Sequence, residues 1–113
     1  MSIPLFVFGT LRRGHVNHHY LDGFYDRMIP AVLPGYERIA PLMIAPRDGS
    51  EVAGELYYLT ESRYAQTLAG CDGLEELLPG SLIGPEYERR LVQVTAEGRT
   101  VEAWAYVQSS RLA

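Results

Sequence analysis

A chain of 113 residues, 47% of them hydrophobic, has the size of one domain and can bury a core without disulfide staples. Its formal net charge is −4 and all ten cationic side chains are arginine. A polyanion such as nucleic acid is therefore a poor partner, and Schiff-base or lysine-nucleophile chemistry is excluded.

Cys71 is the only cysteine, so no disulfide can form within the chain. No apolar run approaches the ~20 residues of a membrane helix, and no basic-then-apolar leader is visible at the amino end. A cytoplasmic protein with no membrane partner is the expectation.

In chain order, Pro4 to Phe8 has the unbroken apolar pattern of a strand buried on both faces. Gly9 ends it, and Gly14 to Leu21 reads as a short helix with Asn17 as its cap. Ala31 to Arg38 and Leu42 to Ala45 read as strands broken by Pro34-Gly35 and Pro41, with a turn at Pro46 to Ser50. Val52 to Leu59 is the next strand, in which Gly54 marks close backbone approach or a bulge. Thr60 heads a helix through a near capping box, with Tyr64, Leu68 and Cys71 at helical spacing.

Asp72 to Leu78 continues that helix or forms a second one, and Pro79 to Pro85 is an irregular loop. Tyr87 to Thr95 alternates, placing Tyr87, Arg89, Leu91 and Gln93 on one face and Glu88, Arg90, Val92 and Val94 on the other. Glu97-Gly98 turns the chain into a partner strand from Val101 to Val107. About six strands with one main helix predict an α+β domain over residues 1–113, a small mixed β-barrel that hides its edges.

Two stretches carry candidate chemistry. The run from Leu5 to His19, "LFVFGTLRRGHVNHH", has Gly9 and Gly14 at phosphate-loop spacing. His15 and Val16, however, stand where such a loop needs Lys and Ser or Thr. His15 and His19 are four residues apart, but Val16 replaces the glutamate of a metalloprotease helix and no cysteine or carboxylate is adjacent, so no metal site is expected. A third reading uses the backbone: N–H groups after Gly9 have no ladder partner and could converge on an anion. An ordinary tight turn fits those residues as well.

In "AGCDGLEELLPG", Asp72 and Glu75 share a helix face while Glu76 is turned away from it. A carboxylate facing an apolar pocket titrates near neutral pH and can serve as general acid/base. Three solvated surface charges are the plain alternative.

Read together, these stretches resemble the gamma-glutamylcyclotransferase-like superfamily, closest to its gamma-glutamylamine cyclotransferase branch. Gly9, Thr10, Leu11, Gly14, Asn17 and His18 fall on the amino-terminal signature. "GELYYL" (Gly54 to Leu59), "CDGLE" (Cys71 to Glu75) and "YERRLVQV" (Tyr87 to Val94) follow in the family's order.

The resemblance implies an enzyme acting on a small gamma-glutamyl compound with no cofactor and no metal. The α-amine attacks its own γ-carbonyl, releasing 5-oxoproline and a free amine. It implies Glu75 as general acid/base, and Phe8, Gly9, Thr10 and Leu11 around the glutamyl group. Tyr87, opening the strand after the catalytic segment, is expected as a pocket wall. Arg89 either faces the same way or is a surface arginine. Phe8 stands where the family usually has tyrosine, Glu76 where relatives often have glycine, and the stretch from Glu75 to Tyr87 is longer. A non-catalytic module binding a small carboxylate metabolite in the same pocket is the alternative.

Overall fold

The computed structural model describes residues 2–110. Its first strand, β1 (Leu5–Val7), is buried on both faces, as the unbroken apolar run requires. Phe6, with Phe8 just beyond the strand, packs into one core cluster, and Leu5 and Val7 pack into another.

β2 (Tyr25–Ala40) and β3 (Met43–Leu59) form a long antiparallel hairpin. Five strands therefore stand where about six were expected, because Leu42 to Ala45 and Val52 to Leu59 belong to one strand. The turn expected at Pro46 to Ser50 is a bulge within β3. Tyr36 pairs with Pro46 and Pro34 with Glu51, so Arg47 to Ser50 oppose only Gly35. Gly35 and Gly49 both have positive φ (82° and 84°), which lets both strands distort at one level and resume pairing.

β4 (Tyr87–Ala96) and β5 (Arg99–Gln108) form the second hairpin. Pairing runs β1-β3-β2-β4-β5 and returns to β1, closing the barrel. The closing contact is parallel, Leu5 against Trp104, with the Trp104 N–H donating to the Pro4 carbonyl (2.9 Å).

Gly54 makes this closure possible at β1. A Cβ there would lie 2.3 Å from the Val7 carbonyl oxygen and 2.7 Å from the Phe6 ring. The β4 alternation sorts as expected: Val92 and Val94 enter the barrel core, while Tyr87 packs against the cluster outside it.

The main helix, α1 (Tyr64–Leu74), lies on that outer cluster through Leu68 and Cys71. A 3-10 turn at Glu61–Arg63 precedes it, and Thr60 does not cap either element with its side chain. The Thr60 hydroxyl donates instead to Asp26 Oδ1 (2.8 Å), tying the helix entry to β2. Tyr64 donates to the Ile3 carbonyl (2.7 Å) and accepts from Trp104 Nε1 (3.1 Å), which pins α1 across the β1–β5 seam. Among the described residues no helix is long and apolar enough to cross a membrane.

Candidate active site

β1 delivers the chain into a tight turn closed by the Arg12 N–H donating to the Gly9 carbonyl (3.1 Å), a bond that Arg12 Nε doubles (3.1 Å). The central N–H groups of such a turn take no part in its closing bond. Among the described residues, the N–H groups of Gly9, Thr10 and Leu11 donate to no protein acceptor.

The turn is braced from behind. Asn17 donates from its backbone to the Thr10 carbonyl and from Nδ2 to Thr10 Oγ1, both at 2.9 Å. Because Thr10 Oγ1 accepts there, its hydroxyl proton is free to donate elsewhere. His18 donates from Nδ1 to the Leu11 carbonyl (3.0 Å), and Glu55 Oε1 accepts from the Arg13 N–H and the Tyr57 hydroxyl, both at 2.8 Å.

Asn17 thus bonds back to Thr10 rather than capping a helix with its side chain, and the expected helix reduces to a 3-10 turn at His18–Tyr20. His15 and His19 are exposed.

The opposite wall forms where α1 stops. The Leu77 N–H donates to the Asp72 carbonyl (3.0 Å) and the Glu76 N–H to the Gly73 carbonyl (3.1 Å), the paired bonds of a Schellman motif. Its left-handed residue is Glu76, at φ 59°. The chain therefore turns sharply after Glu75, so Asp72 to Leu78 is neither a continuous helix nor a second one. Glu75 lines the pocket, whereas Glu76 is exposed.

Burial first, then the carboxylates of Glu86 and Glu76, pushes the Glu75 carboxyl up to about 7. The Glu75 side chain can therefore both accept and return a proton near neutral pH.

Between the walls lies a pocket of about 230 Å³. It brings together every residue singled out from the sequence as a site residue: Phe8, Gly9, Thr10, Leu11, Glu75 and Tyr87. Burial, then Glu75 and Glu86, pushes the Tyr87 hydroxyl up to about 12, so it stays a proton donor, and it donates to the Leu42 carbonyl.

Leu42 stands at the tip of the β2–β3 hairpin and lines the pocket. Arg38 holds that tip by donating to the carbonyls of Pro41 (2.6 Å) and Phe8 (3.0 Å), with its guanidinium 5.4 Å from the Phe8 ring centroid. That ring also packs into the barrel core, an apolar role phenylalanine fills without a hydroxyl.

Residues 5–112 match the family described as "Gamma-glutamyl cyclotransferase, AIG2-like". The chain belongs to that family. A rat gamma-glutamylaminecyclotransferase is 34% identical over 84 residues, covering 62% of this chain and 56% of the relative. A bovine gamma-glutamylaminecyclotransferase is 29% identical over 109 residues, covering 84% of this chain and 58% of the relative. The chain thus spans little more than half the length of these two mammalian proteins. The solution structure of an Arabidopsis thaliana protein superposes with a TM-score of 0.68 at 27% identity, over 96% of this chain and 62% of that one.

Family membership accounts for the order of the four sequence segments but leaves their supports to be read from the structure. Arg89 is no surface arginine: its side chain is 11% exposed and grips Asp72 through Nε (2.8 Å) and Nη2 (3.0 Å). Tyr106, paired with Arg89 across the hairpin, donates to Asp72 Oδ1 (2.6 Å), and the Arg89 guanidinium lies 4.4 Å from the Trp104 ring centroid.

This clamp fixes the last turn of α1 against the barrel, three residues before Glu75. Asp72 is thereby a structural anchor, and Tyr106 reaches the pocket lining through it. Sequence reasoning missed Tyr106, Leu42 and Glu86 as lining residues. Only Tyr106 gave a usable signal, as a strand-partner position of Arg89.

Proposed function

We propose that this protein is a gamma-glutamyl cyclotransferase releasing 5-oxoproline and a free amine from a small gamma-glutamyl amide. One observation carries the reading. A carboxyl group poised near 7 lines the same pocket as a turn with three unpartnered backbone N–H groups. The likeness to proteins named gamma-glutamylaminecyclotransferase supports it.

In this mechanism the N–H groups of Gly9, Thr10 and Leu11, with the Thr10 hydroxyl, hold the substrate's α-carboxylate. Glu75 takes a proton from the α-ammonium, and the freed amine attacks the γ-carbonyl carbon. A carbon–nitrogen bond forms to close the five-membered ring. The bond to the departing nitrogen breaks as Glu75 returns a proton to it. The second proton of the ring nitrogen then passes through the same carboxyl to the released amine, which leaves as an ammonium. Attack within one molecule needs little beyond a folded substrate and proton transfer, because proximity supplies the encounter.

The test is 5-oxoproline release from a panel of gamma-glutamyl amides. The wild-type protein is expected to release it from at least one member. Tight binding of a panel member with no release from any would instead establish a binding module for small carboxylates.

A further inference from the structure

We propose that a second cleft, between the His18–Tyr20 turn and the flank of α1, binds a small aromatic carboxylate. The cleft has a volume of about 260 Å³ and shares no lining residue with the active-site pocket. A cavity of about 150 Å³ accepts a benzene ring, so one ring with a short substituent fits.

The walls are aromatic. Tyr20 and Phe24 are half-buried, and the His19 ring centroid lies 4.6 Å from that of Tyr20. Such faces suit a planar ligand. Thr67, buried in the same lining, makes no demand on a ligand for an acceptor, because its hydroxyl donates to the Arg63 carbonyl (2.8 Å).

Among the described residues, Arg63 is the one permanently charged side chain in the lining. Its guanidinium lies 5.6 Å from the Phe24 ring centroid, over an aromatic wall. The acidic groups near it in sequence are engaged elsewhere. Glu61 accepts from the Ser2 N–H (3.0 Å) and hydroxyl (2.7 Å), and Asp26, two residues after Phe24, accepts from Thr60. Asp22 lies outside the lining. A carboxylate on a ring held in the cleft would therefore meet a cation that no neighbouring acid has taken.

Gly70 keeps the cleft open at the expense of the helix. Glycine inside a helix is less stable than alanine. Neither backbone nor packing requires it here: its φ is not positive, and a Cβ would lie 3.7 Å from Tyr20 Cδ1, an ordinary contact. A longer side chain in that direction fills the space in front of Tyr20.

The experiment follows backbone amide shifts in isotope-labelled protein titrated with benzoate, with its neutral isostere benzamide, and with acetate. In wild type, benzoate is expected to shift Tyr20, Phe24 and Gly70 with a dissociation constant of about 1 mM. Benzamide should bind there about fivefold more weakly, and acetate should leave these amides unmoved. Arg63→Gln should weaken benzoate to the level of benzamide without changing benzamide itself. Gly70→Leu should abolish the benzoate shifts while its melting temperature stays at or above that of wild type.

Benzoate shifts confined to the Gly9–Leu11 turn, or none at Tyr20, Phe24 and Gly70, would overturn the proposal. So would benzamide binding as tightly as benzoate, or Arg63→Gln leaving their ratio unchanged.

Discussion

The two walls of the pocket are built on opposite principles. The Gly9–Leu11 wall is backbone, anchored by side chains that bond to its carbonyls and hydroxyl and leave its N–H groups open. The α1 wall is side chain, a carboxyl set at a helix end between two other carboxylates and pushed away from its ordinary titration range. Fixed dipoles hold a ligand without changing state, whereas a proton carrier must be able to change state. The division teaches that damage to one wall should cost binding and damage to the other should cost turnover.

The largest expected effect breaks the α1 wall alone. Glu75→Gln should lower kcat for 5-oxoproline release by about 10²- to 10⁴-fold, while calorimetric affinity for the substrate changes little. Loss of binding together with turnover would show that the walls are not separable.

Next in size is a break behind the other wall. Gly54→Ala pushes a methyl group into the Val7 carbonyl and the Phe6 ring, so it should destabilise the fold by about 3 kcal/mol or more in chemical denaturation. Asp72→Ala strips Arg89 and Tyr106 of their partner and should cost about 2 to 4 kcal/mol by the same measurement.

Smaller effects sharpen the contrast at the helix end. Glu76→Gly removes a side chain from a left-handed position and should stabilise the protein by about 1 kcal/mol. Glu75 itself couples stability to pH. Its folded pKa lies above the ordinary 4.5, so its contribution is fully present below pH 4.5 and is lost as pH rises through about 7. Glu75→Gln should therefore be more stable than wild type at pH 8, by about 1 to 3 kcal/mol, with no advantage at pH 4.

Much of this was legible in the sequence where a local rule and the tertiary structure agree. The run from Leu5 to Phe8 announces a doubly buried strand, Gly54 announces a close approach, and the pattern from Tyr87 to Val94 sorts into its two faces as read. Pro46 to Ser50 misled because turn chemistry is local, whereas strand continuity is set by the partner, and β2 carries the ladder past the break. Thr60 misled in the same way, its hydroxyl being claimed by Asp26 on another strand.

The six candidate site residues share one pocket, and their signal lay in short ordered segments. Leu42 did not show, because it reaches the pocket only through a hairpin tip, and Tyr106 was legible only as the cross-strand partner of Arg89. Glu76 is the instructive middle case. Its αL role follows from helix-capping geometry, and glycine is the residue which that conformation favours.

The most direct test of the central claim is the pH dependence of kcat/KM for 5-oxoproline release, measured in wild type and in Glu76→Gly. Removing the Glu76 charge should leave the substrate's own amine untouched and lower the Glu75 pKa. The rate should rise with pH through about 7 in wild type, with its midpoint at lower pH in the variant. A profile flat from pH 5 to 8, or one with the same midpoint in both proteins, would contradict it.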